Sequence, residues 1–97
     1  MFFAVRLERG GPSDWSRDLH EQDGWNEHAH FMNALVDDGF IILGGPVAGE
    51  REILHAISAP SEHALRARLA QDNWAENGML TITSVEPWTI LLDGRAT

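Results

Sequence analysis

The residues best suited to moving a proton at neutral pH in this chain are its five histidines, and fifteen carboxylates accompany them. One histidine stands apart by position. In the run Trp25-Asn26-Glu27-His28-Ala29-His30-Phe31-Met32-Asn33-Ala34-Leu35-Val36, the residues Trp25, His28, Ala29, Met32, Leu35 and Val36 recur at the spacing of one helical face. Asn26, Glu27, His30, Asn33 and Asp37 fall mostly elsewhere. An imidazole turned inward needs a hydrogen-bond partner or costs roughly 1–3 kcal/mol in lost solvation. His28 therefore marks either a satisfied core histidine or a polar pocket.

In the second case the chemistry is general acid–base catalysis. Histidine begins near a pKa of about 6.5, close to working pH. It also needs a second group, usually a carboxylate or carbonyl, to fix its tautomer. Glu8 and Asp14, in the loop leaving the first predicted strand, are the candidates. Asp37 and Asp38 lie roughly 14–15 Å along the helix from His28, too far for a direct bond. Trp15, Trp25 and Trp74 are candidate walls of an aromatic pocket, with ordinary core packing as the alternative for Trp25 and Trp74.

Other chemistries are poorly supported. Residues two apart on a helix point about 200° apart, so His28 and His30 cannot chelate one ion, and no metal site is expected. Gly44-Gly45-Pro46 and Gly10-Gly11-Pro12 lack the patterns of phosphate-binding loops and read as turns. No serine has the flanking glycines of a nucleophile elbow. Cysteine is absent, which removes disulfides and thiol nucleophiles. The formal charge of −8, with no basic cluster, argues against nucleic acid and anionic membranes. No apolar run approaches the roughly 20 residues of a membrane span, and the early charges at Arg6 and Glu8 do not suit a signal peptide. A cytoplasmic protein is expected.

The elements that must position His28 follow from the pattern. Residues 2–7 alternate as a strand. Residues 14–23 form an irregular arm or a short helix capped by Ser13 or Asp14. Gly24 interrupts the chain, the strong helix runs to about Asp38, and Gly39 caps it. Residues 40–43 are continuously apolar, as in a strand buried on both faces. A turn around Gly49-Glu50 leads to a strand over 52–59. Ser61 caps a second helix that presents Ala64, Leu65 and Leu69 inward and runs to about Asn73. The last strand lies within residues 79–92, with a bend or bulge at Pro87.

The order β-α-β-β-α-β predicts one α+β domain over residues 1–97. It is a ferredoxin-like protomer, a four-stranded antiparallel sheet with two helices on one face. The simplest cover for the other face is a second copy, giving a homodimer.

The stretch His-Ala-His-Phe-Met-Asn-Ala-Leu-Val-Asp-Asp-Gly-Phe-Ile-Ile-Leu-Gly-Gly-Pro, from His28 to Pro46, resembles the YCII-related proteins. Gln71-Asp72-Asn73-Trp74-Ala75-Glu76-Asn77-Gly78 is similar to that family's Asp-Pro-aromatic segment, with Asn73 where proline is usual. Val85-Glu86-Pro87-Trp88 is similar to its last-strand Pro-aromatic. The resemblance spans nearly the whole chain. It implies a dimeric α/β barrel and a His-Asp pair with the Asp near the end of strand one. Here Glu8 stands at that strand end and Asp14 follows a longer loop, so Asp14 is the first choice of partner and Glu8 the second.

The resulting expectation is a small cofactor-independent enzyme that uses His28 as base or acid on an aromatic or enolisable molecule. The reaction would be an elimination or isomerisation, and the family's few assigned activities include chloride elimination from a chlorinated hydroxyquinone. Trp15, Trp25, Trp74 and Pro46 would bind the substrate. The alternatives are a non-catalytic small-ligand sensor with the same pocket, a purely structural dimer, and, by analogy of fold alone, a cofactor-free oxygenase.

Overall fold

The structure is a computed structural model and describes residues 1–95. Four strands, β1 (Phe2–Arg9), β2 (Ile41–Val47), β3 (Glu52–Ser58) and β4 (Leu80–Pro87), form one sheet in the order β2-β3-β1-β4. All neighbours are antiparallel. The helices are α1 (Trp25–Asp37), α2 (Glu62–Leu69) and the single turn α3 (Asn73–Glu76). This is the ferredoxin-like α+β arrangement, two interleaved β-α-β units.

Strand alternation sorts the residues by face. On β1, Phe3, Val5, Leu7 and Arg9 are buried; on β3, Ile53, His55 and Ile57. The apolar ones meet Leu35 from α1, Leu65 and Leu69 from α2, and Trp74 from α3 in a single core. Glu8 has the opposite parity on β1 and is exposed on the far face.

Several local expectations are met. Ser61 caps α2, its Oγ accepting from the Ala64 N–H at 3.1 Å. Gly39 adopts φ +76°, and the next amide donates from Phe40 to the Leu35 carbonyl, closing α1. The arm before α1 is irregular. Its only regular piece is a 3₁₀ turn at Leu19–Glu21, led by Asp18 rather than by Ser13 or Asp14.

Three expectations are corrected. The apolar run at 40–43 is not buried on both faces: β2 is an edge strand, and Leu43 is 61 % exposed. Val36 lies outside the inward stripe of α1 and is exposed at its last turn. The irregularity in β4 falls opposite Arg6 and Leu7, between Ile82 and Ser84, and Pro87 ends the strand. A second register shift, between Ile41 and Leu43, re-phases β2 so that Gly44 pairs with His55 and Pro46 with Ile53.

Candidate functional site

His28 sits one turn into α1 and is 7 % exposed. Its amide donates to the Gly24 carbonyl, and Gly24 takes φ +82° where the arm turns into the helix. A side chain at position 24 would run into Asn73 Nδ2 and Trp74 Nε1, so glycine is required both for the angle and for the approach of α3.

The carboxylate beside His28 is Asp72. Nδ1 lies 2.9 Å and 2.8 Å from its two oxygens, and both residues are buried. Asp72 is the residue before α3, in extended conformation (φ −69°, ψ 135°). The second helix thus stops at Leu69 rather than at Asn73, and the break turns Asp72 toward α1. A carboxylate accepts, so Nδ1 carries the proton. In the neutral ring Nε2 then holds the free lone pair, and the ring's hydrogen bonds among the described residues are both made at Nδ1.

Two indole rings hold His28. Trp74 lies parallel to the imidazole, with centroids 4.1 Å apart and planes at 14°. Trp74 is itself fully buried, and its Nε1 donates to the Asp23 carbonyl at 2.9 Å. Trp25 packs at 5.8 Å against both His28 and Trp74.

A cavity of about 260 Å³ opens on the other side of His28, lined by Leu19, Trp25, His28, Met32, Gly44, Gly45, Pro46, Ile53, His55 and Leu80. A dry void of about 150 Å³ suffices for benzene, so the space suits a single-ring molecule. A second hollow of about 290 Å³ shares Met32 and Leu80 with the first and is lined by Asp72 and Arg66. The first is where proton chemistry can occur, because the imidazole lines it.

The sequence-derived site is therefore partly assembled. His28, Trp25 and Pro46 share the cavity. Trp74 supports His28 from beneath and does not line it. Asp14 is not the partner. It is exposed, and its Oδ1 accepts from the amide and hydroxyl of Ser16 at 2.9 and 2.6 Å, bonds that hold its carboxyl below the usual pKa. Glu8 is on the wrong face of the sheet. Trp15 is 57 % exposed and lies against the Arg9 guanidinium at 4.5 Å. That guanidinium donates to the Asp14 and Arg17 carbonyls and to Ser13 Oγ, so Trp15 and Asp14 belong to the anchorage of the arm.

Sequence reasoning missed two residues, Asp72 and His55. His55 is 5 % exposed, and neither ring nitrogen has a hydrogen-bond partner among the described residues. Burial pushes its pKa from 6.5 down to about 4; His28 lowers it further and Asp72 opposes the shift. As pH falls below about 6.5 the unfolded chain takes up this proton and the folded one does not. Stability contributed above that pH is thus lost on acidification, by about 3 kcal/mol near pH 4. His55→Leu is expected to flatten the acid side of the stability–pH curve, as measured by urea unfolding between pH 4 and 7.

The fold and the sheet order are those of a ferredoxin-like α+β protomer. Among solved structures, the chain is similar to the 5-chloro-2-hydroxyhydroquinone dehydrochlorinase of Burkholderia phenoliruptrix AC1100, solved in complex with 2,5-dihydroxybenzoquinone. The TM-score is 0.71 at 18 % identity, covering 92 % of this chain and 94 % of that one. No protein-family model matches the chain, and no curated protein matches it in sequence. No helix among the described residues is long and apolar enough to cross a membrane.

Proposed function

We propose that the protein is a small acid–base enzyme acting on a compact, oxygenated ring. The observation that carries this reading is the His28–Asp72 pair, with Nδ1 held by the carboxylate and Nε2 left to the cavity. His28 Nε2 takes a proton from a ring hydroxyl or an enolisable carbon. In the keto tautomer of the ring, where the carbon bearing the leaving group is saturated, the freed electron pair becomes a new double bond conjugated to that carbon, and the leaving group departs with the pair of its broken bond. The imidazolium then returns its proton to water. No cofactor enters these steps. The substrate class is supported by the likeness in fold to a dehydrochlorinase and by a cavity sized for one ring. Membership of the YCII-related proteins and a cytoplasmic location accord with the same reading. The test is chloride release from chlorinated hydroxyhydroquinones. His28→Gln is expected to lower the rate by about 10²–10⁴-fold, the usual share of general acid–base catalysis. Full activity in that variant would remove His28 from the chemistry.

We further propose that the working form is a homodimer packed sheet to sheet. Phe2, Leu43 and Trp88 are exposed on the face away from the helices, and Leu91 and Leu92 continue the apolar surface beyond β4. An apolar face of this kind on a four-stranded sheet is self-complementary across a two-fold axis. Leu43→Glu would place a charge in that interface. Sedimentation equilibrium is expected to give twice the chain mass for the parent protein and the single-chain mass for the variant.

A further inference from the structure

Neither nitrogen of His55 is used by a hydrogen bond among the described residues, and its setting is built. It faces the helices on β3, flanked on the same side by Ile53 and Ile57. Its cross-strand neighbours are Val5 on β1 and Gly44 on β2, and a Cβ on Gly44 would overlap the imidazole ring. The ring thus occupies space that a glycine alone leaves free, on the wall of the cavity that also holds His28. Both nitrogens are buried and unpartnered among the described residues. A polar group kept dry and unpaired at a cavity wall is a place where a ligand's polar atom completes the bonding.

We propose that His55 reads an oxygen of the ligand, its uncharged ring bonding a hydroxyl or carbonyl and thereby selecting a neutral oxygenated ring over a carboxylated one. The inference rests on the assignment of this cavity as the substrate site. An uncharged imidazole presents a nitrogen that either donates or accepts, and a phenolic hydroxyl can serve as the partner in either case. A carboxylate would enter with no compensating cation: the walls are His28, Leu19, Trp25, Met32 and Ile53, with neither arginine nor lysine among the lining residues. The Asp72 carboxylate, one imidazole away, adds repulsion. His55 thus supplies the polar contact that fixes which way round the ring lies, while His28 acts on it.

Binding of phenol, benzoate and fluorobenzene to the parent protein, His55→Leu, His55→Gln and Gly44→Ala tests this directly by calorimetry and by imidazole nitrogen shifts. The parent is expected to bind phenol at least tenfold more tightly than benzoate. His55→Leu is expected to lose about tenfold in phenol affinity, to keep fluorobenzene unchanged or tighter, and to fold at least as stably as the parent. His55→Gln, with its own donor and acceptor, recovers part of the loss. Gly44→Ala displaces the ring and weakens phenol similarly. Equal phenol affinity in the parent and His55→Leu, or benzoate bound as tightly as phenol, overturns the proposal. Phenol that shifts the His28 nitrogens and leaves those of His55 unmoved overturns it alone and keeps the site. Failure of all three probes to bind overturns both.

Discussion

Asp72→Asn is expected to lower turnover by about 10³–10⁴-fold while leaving the fold intact. Asparagine has the shape of aspartate but presents an amide NH₂ as well as a carbonyl. With the NH₂ turned to His28, Nδ1 must accept, and the ring proton moves to Nε2. The lone pair that faces the cavity is then gone. The corresponding change in a Ser-His-Asp protease costs about 10⁴-fold for this reason. The loss of negative charge adds to the effect, because the imidazolium formed in the reaction no longer has a counter-ion. The tautomer is readable without any substrate: long-range proton–nitrogen correlation should show Nδ1–H in the parent and a larger Nε2–H population in the variant. A parent protein with its proton on Nε2 would contradict the assignment at its root.

Trp74→Ala is expected to cost about 3–5 kcal/mol, the range for removing a large aromatic from a core. Trp74 is fully buried, it stacks on His28, and its Nε1 bonds the Asp23 carbonyl. The substitution would leave a void beneath the imidazole and an unpaired carbonyl where the arm enters α1. Domains of this size hold roughly 5–15 kcal/mol in all, so a large part of the margin goes. Trp74→Phe keeps most of the ring and loses the Nε1 bond, and about 1–3 kcal/mol is expected. Urea unfolding followed by far-ultraviolet circular dichroism measures both. A loss under 1 kcal/mol for Trp74→Ala would mean that the stack does not support the site.

What was legible beforehand was periodic. The 3.6-residue stripe turned His28 inward and left His30 in water, and the element order yielded the sheet. The same parity rule could have ruled out Glu8, since Phe3, Val5 and Leu7 inward put Glu8 outward. It could equally have pointed to His55 between Ile53 and Ile57. The apolar run at 40–43 misled for a physical reason. One side of β2 meets the core and the other is an exposed apolar surface, and a single chain's pattern is the same whether that surface is covered or bare. Asp72 was beyond any local rule. It lies 44 residues from His28 and reaches it because the second helix breaks at residue 70. The only signal in the sequence is the Asp72-Asn73-Trp74 segment, which carries the family resemblance but no rule for what it touches.

The proton pair spans the two β-α-β halves: the imidazole comes from the crossover of the first, and the acid from the crossover of the second. Neither half holds a working centre by itself. Under the proposed function, competence is consequently a property of the cooperative whole, switched on only when the interleaved units have docked and extinguished together with them.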